Sequence, residues 1–414
     1  MKKIFALAFA PLAFAAVAAP EVSGVGVSID AEGRKATISY TLSEDAVVTF
    51  DVLTNGVSIG GTHLRGAVGD VNRRIAAGSR SITWCWSDAI DGAQLSAAAT
   101  VRVTAWPLDH LPDYMVCDLR STGAISFYPN AESIPGGVGD DMYKTDYIVF
   151  RRIPAKGVRW QMGSPEGEAG RANAGESRHW VTFANDYYMA IYEITQRQYE
   201  MAMGIDDVTT ASAEFPTSVT NAPTYPLDGA RWVMGRSAHS DWNWVPPEKV
   251  TRGGSSAFVL GKIGAKCGFT VDLPTDAEWE YAGRAGEGAA RYDGTDDTAT
   301  VDDLGWYSGN SGGALHPVGE RAPNRWGIYD MYGNVAEWCL DWYSPDCGVS
   351  GSGTAVDPAG PTAASPTLYH RVLRGGSIST GADKLRSASR VSCNLATKAG
   401  NGFRVVALNV SLAD

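Results

Sequence analysis

The groups best placed to do chemistry cluster between Trp326 and Tyr343, WGIYDMYGNVAEWCLDWY, where Asp330, Glu337 and Asp341 sit among tryptophans and tyrosines. Aromatic side chains bring a large area to bury, while carboxylates are almost never fully buried without a partner. Asp330 and Glu337 flank Gly333 and Asn334, a spacing that reads as a tight turn wrapped around something. A hard cation would accept carboxylate and carbonyl oxygens together. Backbone N–H groups or arginine would satisfy the same acids, and the residues alone leave both answers open.

Other reactive types are scattered. The six cysteines (Cys85, Cys117, Cys267, Cys339, Cys347 and Cys393) include no CxxC pair. An even number outside the cytoplasm favours disulfides, though sequence does not choose their pairing. The six histidines, His63, His110, His179, His239, His316 and His370, offer no zinc spacing. His179, just before a strand, reads as a surface or packing residue. The formal charge of −11 is dispersed, so a nucleic-acid partner has no electrostatic support.

The elements that must position these groups fall into four stretches. Lys2 and Lys3, the apolar run Ile4 to Val17 and the small residues Ala16-Val17-Ala18 predict a signal peptide over 1–18. The mature chain is then exported, periplasmic or extracellular, and no later segment is apolar enough for a transmembrane span. Residues 20–107 alternate in short period-two runs ended by turn residues such as Asn55-Gly56, which predicts a small all-β, immunoglobulin-like sandwich. It is a binding module or a spacer, and the spacer is favoured because fold does not imply function. Residues 108–147, with several prolines and Gly136-Gly137, read as an ordered connector to a large domain over 148–410. There, Thr195-x-x-Gln198 and Thr275-x-x-Glu278 are capping boxes that predict helices running to Gly204 and Gly286. A third short helix is expected from Ser256 to Ile263.

The large domain resembles the sulfatase-modifying-factor family, whose founder is formylglycine-generating enzyme. The resemblance rests on Ile153-Pro154-Ala155, Met162-Gly163-Ser164 and Tyr192-Glu193-Ile194-Thr195. LPTDAEWEYAGRAG at 273–286, PNRWGIYDMYGNVAEW at 323–338, RVLRGGS at 371–377, LRSASR at 385–390 and GFRVV at 402–406 follow in order. It implies an α+β, loop-rich variant of the C-type-lectin-like fold. It also implies a structural calcium ion held by Asp330, Gly333, Val335 and Glu337, with a second site somewhere in 301–315 that has no clear register.

The family's oxidase chemistry uses two cysteines shortly after the GGS motif to bind copper(I), because soft thiolates suit that ion. Here Gly375 to Arg390 contains no cysteine; Cys393 follows alone, and Ala336 stands where the family usually has tryptophan. Copper is therefore not expected, and the iron-dependent sulfoxide-synthase branch is excluded by the missing histidine triad. The resemblance then implies a non-catalytic, calcium-stabilised binding or scaffold protein. Its surface would be Ser377, Ser379, Thr380, Asp383 and Lys384, flanked by Trp338 and Trp342, although the density of tryptophans favours core packing for those two. An extracytoplasmic protein, peptide or glycan would be the partner. The alternative is a formylglycine-generating-type protein-modifying oxidoreductase acting on cysteine in sulfatases, with Ser377 and Cys393 as the catalytic candidates.

Overall fold

The computed structural model describes residues 19–30, 34–85, 99–172, 175–205, 219, 222–232, 252–253, 258–287, 301–347, 353–362, 369–395, 397 and 400–412. The expected signal peptide lies outside them. No helix among the described residues is long and apolar enough to cross a membrane.

The N-terminal stretch builds two facing sheets. Strands β1 (Val22–Asp30), β2 (Lys35–Leu42) and β4 (Gly78–Cys85) form most of one. In the other, β3 (Ala46–Thr54) pairs with β5 (Ala99–Trp106). Strand β2 shows the period-two rule directly: Ala36, Ile38, Tyr40 and Leu42 are buried while the residues between them are exposed. With Val48, Phe50, Ile82 and Trp84 they make one core.

The expected connector is ordered and also builds part of the large domain. Its apolar residues form β6 (Tyr114–Asp118) and β7 (Ile125–Tyr128). These begin a six-stranded antiparallel sheet with β8 (Tyr147–Ile153), β11 (Tyr187–Ala190), β12 (Thr270–Asp272) and β16 (Val406–Leu408), in the order β7-β6-β8-β11-β16-β12. Strand β6 is covered on both faces, so its sequence is a continuous apolar run where alternation might be sought. Two further small sheets flank it. Strands β9 (Arg159–Met162) and β10 (His179–Thr182) form one with Thr354–Val356. The other has β15 (Val391–Asn394), β14 (His370–Arg374), β13 (Ala336–Trp342) and Asn401–Gly402 in that order.

Both capping boxes are formed. Thr195 and Gln198 close the start of α1 (Gln196–Met203), which stops at left-handed Gly204 as expected. Thr275 and Glu278 close α3 (Asp276–Gly283). That helix ends earlier than Gly286, because Ala285 and Gly286 turn with positive φ. It buries all eight residues instead of one face, since its acids find arginines on several sides. Helix α2 (Val259–Cys267) starts later than expected and ends at left-handed Gly268; the expected start at Ser256 lies outside the described residues.

Candidate functional site

The Trp326–Tyr343 stretch loops through two left-handed non-glycine residues, Asp330 (φ 57°) and Asn334 (φ 56°), before entering β13. Gly333 between them is required: a side chain there would run into the Trp306 carbonyl. The turn places three carboxylates, Glu193, Asp330 and Glu337, in one fully buried corner. Arg404 forks onto Glu337, with Nη2 to Oε1 at 2.6 Å and Nε to Oε2 at 2.7 Å, and Trp279 Nε1 donates to Oε2 at 2.7 Å. Glu193 accepts from the Val335 N–H and the Asn334 amide. Asp330 Oδ2 accepts from the Gly319 N–H at 2.7 Å, while its Oδ1 is buried with no hydrogen-bond partner.

Three acids therefore share Arg404. Burial pushes the Glu193 carboxyl well above the usual range, reinforced by Asp330 and Glu337. Burial also pushes Asp330 up to about 6, against the pull of the Gly319 N–H and Arg404. The expected ligand Glu337 already serves a guanidinium fork, so the unpaired oxygen of the corner belongs to Asp330. Among the described residues no three Cys, His, Asp or Glu side chains gather closely enough to hold a metal by themselves. A cation at Asp330 would thus depend on backbone carbonyls as well, a donor mix that suits calcium.

The second buried acid group is organised on α3. Asp276 ion-pairs with Arg374 and Arg390, and Glu280 with Arg374 and Arg284. The Asp276 N–H donates to Asp341. Burial and the neighbouring Asp276 raise the Asp341 carboxyl to about 7.

The expected ligand loop begins directly after β14. Ser377 and Thr380 are half-buried and lock a turn: the Ser377 N–H donates to Thr380 Oγ1 and the Thr380 N–H to the Ser377 carbonyl, both at 2.9 Å. Ser379, Asp383 and Lys384 are exposed. The loop lies on residues 306–311, where the Ser308 N–H donates to the Thr380 carbonyl and Ser311 Oγ to that of Ile378. It is also tied to a neighbouring loop by Lys384 Nζ and by Arg386, which pairs with Glu168 and Glu176.

The structure therefore gathers Ser377, Ser379, Thr380, Asp383 and Lys384, but Trp338 and Trp342 are core residues. Trp338 is buried with its indole N–H on the Ala230 carbonyl. Trp342 stacks on Trp232, and the Arg371 guanidinium lies against both rings. Both side chains sit in the packed interior, as core packing of the tryptophans predicts. The aromatic beside the loop is the half-buried Trp306, sandwiched between Arg321 at 3.5 Å and His316 at 3.6 Å. Cys393 lies on β15 opposite Arg371, its sulfur towards the Asn401 amide. In 301–315, the Asn310 side chain bonds the Tyr307 N–H and the Gly305 carbonyl, and Tyr307 hydroxyl donates to Asp302.

Sequence reasoning missed Glu193 and Arg404 as site residues, although both stand within motifs it quoted. An acid between Tyr192 and Ile194 and an arginine between Phe403 and Val405 are signals of buried charge.

Residues 153–408 match the sulfatase-modifying factor enzyme 1-like domain, more than half of the chain. The chain is 38% identical over 155 residues to a formylglycine-generating enzyme of Thermomonospora curvata (33% of this chain, 48% of the relative). It is 32% identical over 214 residues to one of Streptomyces coelicolor (48% and 65%). A chaperone protein LppX of Paenibacillus barcinonensis is 28% identical over 187 residues (39% and 64%). The chain thus spans about half to two-thirds of the length of these relatives. Among solved structures, Treponema denticola variable protein 1 aligns at TM-score 0.47 and 22% identity, covering 63% of this chain and 95% of that one.

Proposed function

Since the chain belongs to the sulfatase-modifying-factor family, we propose that it is a non-catalytic member, a calcium-stabilised binding or scaffold protein that works outside the cytoplasm. The observation that carries this reading is the turn after β14. Where the family's oxidases carry a thiolate pair, this turn carries Ser377, Ser379 and Thr380, and their hydroxyls and N–H groups close on each other. Hydroxyls do not bind copper(I) as thiolates do, and Cys393 on β15 is a single sulfur. The exposed Ser379, Asp383 and Lys384 on a rigid turn suit recognition of a polar partner, such as a peptide, a glycan or another protein.

Calcium in this reading supplies positive charge to the acid-rich corner. Asp330 would hold it through its unpaired oxygen, with the carbonyls of Gly333 and Val335, while Glu337 stays with Arg404. Binding to the native state alone stabilises the fold.

Two measurements test the proposal. Calcium should raise the melting temperature of the wild-type chain, and Asp330→Asn should abolish that shift; an equal shift in both proteins removes the calcium assignment. Copper loading with oxygen uptake on a cysteine-containing sulfatase peptide should give no turnover. One equivalent of bound copper with peptide oxidation would overturn the non-catalytic reading in favour of the oxidoreductase.

A further inference from the structure

Cys117 and Cys267 lie far apart in sequence and together in the core. Cys117 is on β6, entirely buried, and Cys267 is the last residue of α2, 1% exposed; both belong to the same hydrophobic cluster. Helix α2 packs on β6, and the Cys117 thiol is within hydrogen-bonding reach of the Cys267 sulfur. One backbone and one side-chain hydrogen bond hold this contact in place. The Gly123 N–H donates to the Lys266 carbonyl at 2.7 Å, and Lys266 Nζ donates to the Leu119 carbonyl at 2.5 Å. The segment after Cys117 is thereby tied to the residue before Cys267, which keeps the two cysteines side by side.

The remaining sulfurs have other company. Cys339 sits among Asp276, Arg374, Asp341 and Glu337. Cys347 directs its thiol to the Gly175 carbonyl near Arg390. Cys393 faces Asn401, and Cys85 ends the strand β4 of the N-terminal unit.

We propose that Cys117 and Cys267 form a disulfide that staples the sheet strand β6 to the end of α2. The reaction is thiol–disulfide exchange with a small disulfide donor such as oxidised glutathione. One cysteine thiolate attacks the donor, releasing one glutathione thiol and leaving a mixed disulfide. The second cysteine then displaces the other glutathione. Two thiols of the chain are oxidised and one donor disulfide is reduced, with both cysteine protons ending on the released thiols. Because both sulfurs are sealed in the core, the exchange runs before the core closes, and the finished bond is then shielded from reductant. The bond closes a long loop, which constrains the unfolded chain more than a short one would. It joins the β6 region, which precedes the family's matched residues, to the domain proper. The proposal stands apart from the ligand and calcium assignments.

The test is to refold the full-length, fully reduced chain in a glutathione redox mixture, alkylate it in denaturant without reductant, and map its peptides. The expected result is a linked Cys117–Cys267 peptide pair, lighter by two hydrogens than the separate peptides, with a melting temperature that falls on refolding in reductant alone. Cys117→Ala should leave Cys267 alkylated and melt like the reduced wild type, while Cys347→Ala should keep the linkage. Alkylation of both Cys117 and Cys267 in the refolded wild type, or Cys267 linked to another cysteine, overturns the proposal, and neither result depends on the variants folding.

Discussion

Trp279 stands between two buried acid groups that solve the same problem differently. On one side Asp276 and Glu280 are answered by Arg374, Arg390 and Arg284, and Asp341 accepts from the Asp276 N–H. On the other, Glu193, Asp330 and Glu337 share Arg404, and the Trp279 indole donates to Glu337. A charge taken from water is tolerated only when paired and hydrogen-bonded. In the first group Asp276 and Glu280 are matched by arginine, and Asp341 alone is left with a backbone N–H and a carboxyl raised to about 7. The second has carboxylates in excess and an unpaired oxygen on Asp330, so it must take up a proton or a cation. Matched charge holds the fold together; unmatched charge makes it responsive.

The sharpest way to break this contrast is to remove the arginines. Arg404→Ala and Arg374→Ala should each cost about 3–5 kcal/mol in denaturant unfolding, because each leaves buried acids uncompensated. If the acid-rich corner tolerates Arg404→Ala without loss, the contrast fails. Neutralising an acid should then act in opposite directions. Asp276→Asn should destabilise by about 3 kcal/mol, since Arg374 and Arg390 lose a partner. Asp330→Asn, assayed in chelator at pH 8, should stabilise by about 1 kcal/mol, since it removes excess buried charge.

Asp341 gives the pH dependence. Its folded pKa of about 7 lies above that of an unfolded aspartate, so the native state holds the proton more tightly. The stability this supplies is complete below about pH 4 and disappears as pH rises through about 7. Asp341→Asn should flatten that descent and gain about 2 kcal/mol at pH 8, read from unfolding curves at successive pH values. The smallest effect is expected at the surface. Ser377→Ala should change stability by less than about 1 kcal/mol, because it loses only two long hydroxyl contacts of the turn, to Thr380 Oγ1 and the Ser379 N–H; a larger loss would make that turn a structural clasp rather than a presentation surface.

Local signals carried the parts of the fold that are local. Both capping boxes stand within four residues and formed as read, and the alternating β2 pattern names its own buried face. The order of motifs likewise led to the right family and to the α+β class. What stayed hidden depends on partners distant in sequence. Nothing next to Glu337 announces that Arg404 will occupy it, and nothing next to Trp342 announces Trp232 and Arg371. The density of tryptophans in the stretch favours core packing for Trp338 and Trp342, and both are buried. The β6 and β7 strands were read as a connector because prolines and glycines around them mask an apolar run that only the completed sheet explains.

Strand β16 comes late in the chain, yet it lies inside the six-stranded sheet between β11 and β12, with Arg404 just ahead of it. During synthesis, every earlier strand of that sheet is made before the piece that joins β11 to β12 and before the guanidinium that neutralises Glu337. A nascent chain interrupted before Arg404 would lack both the strand that joins β11 to β12 and the partner of Glu337. The order of translation thus delays completion of the six-stranded sheet until β16 arrives.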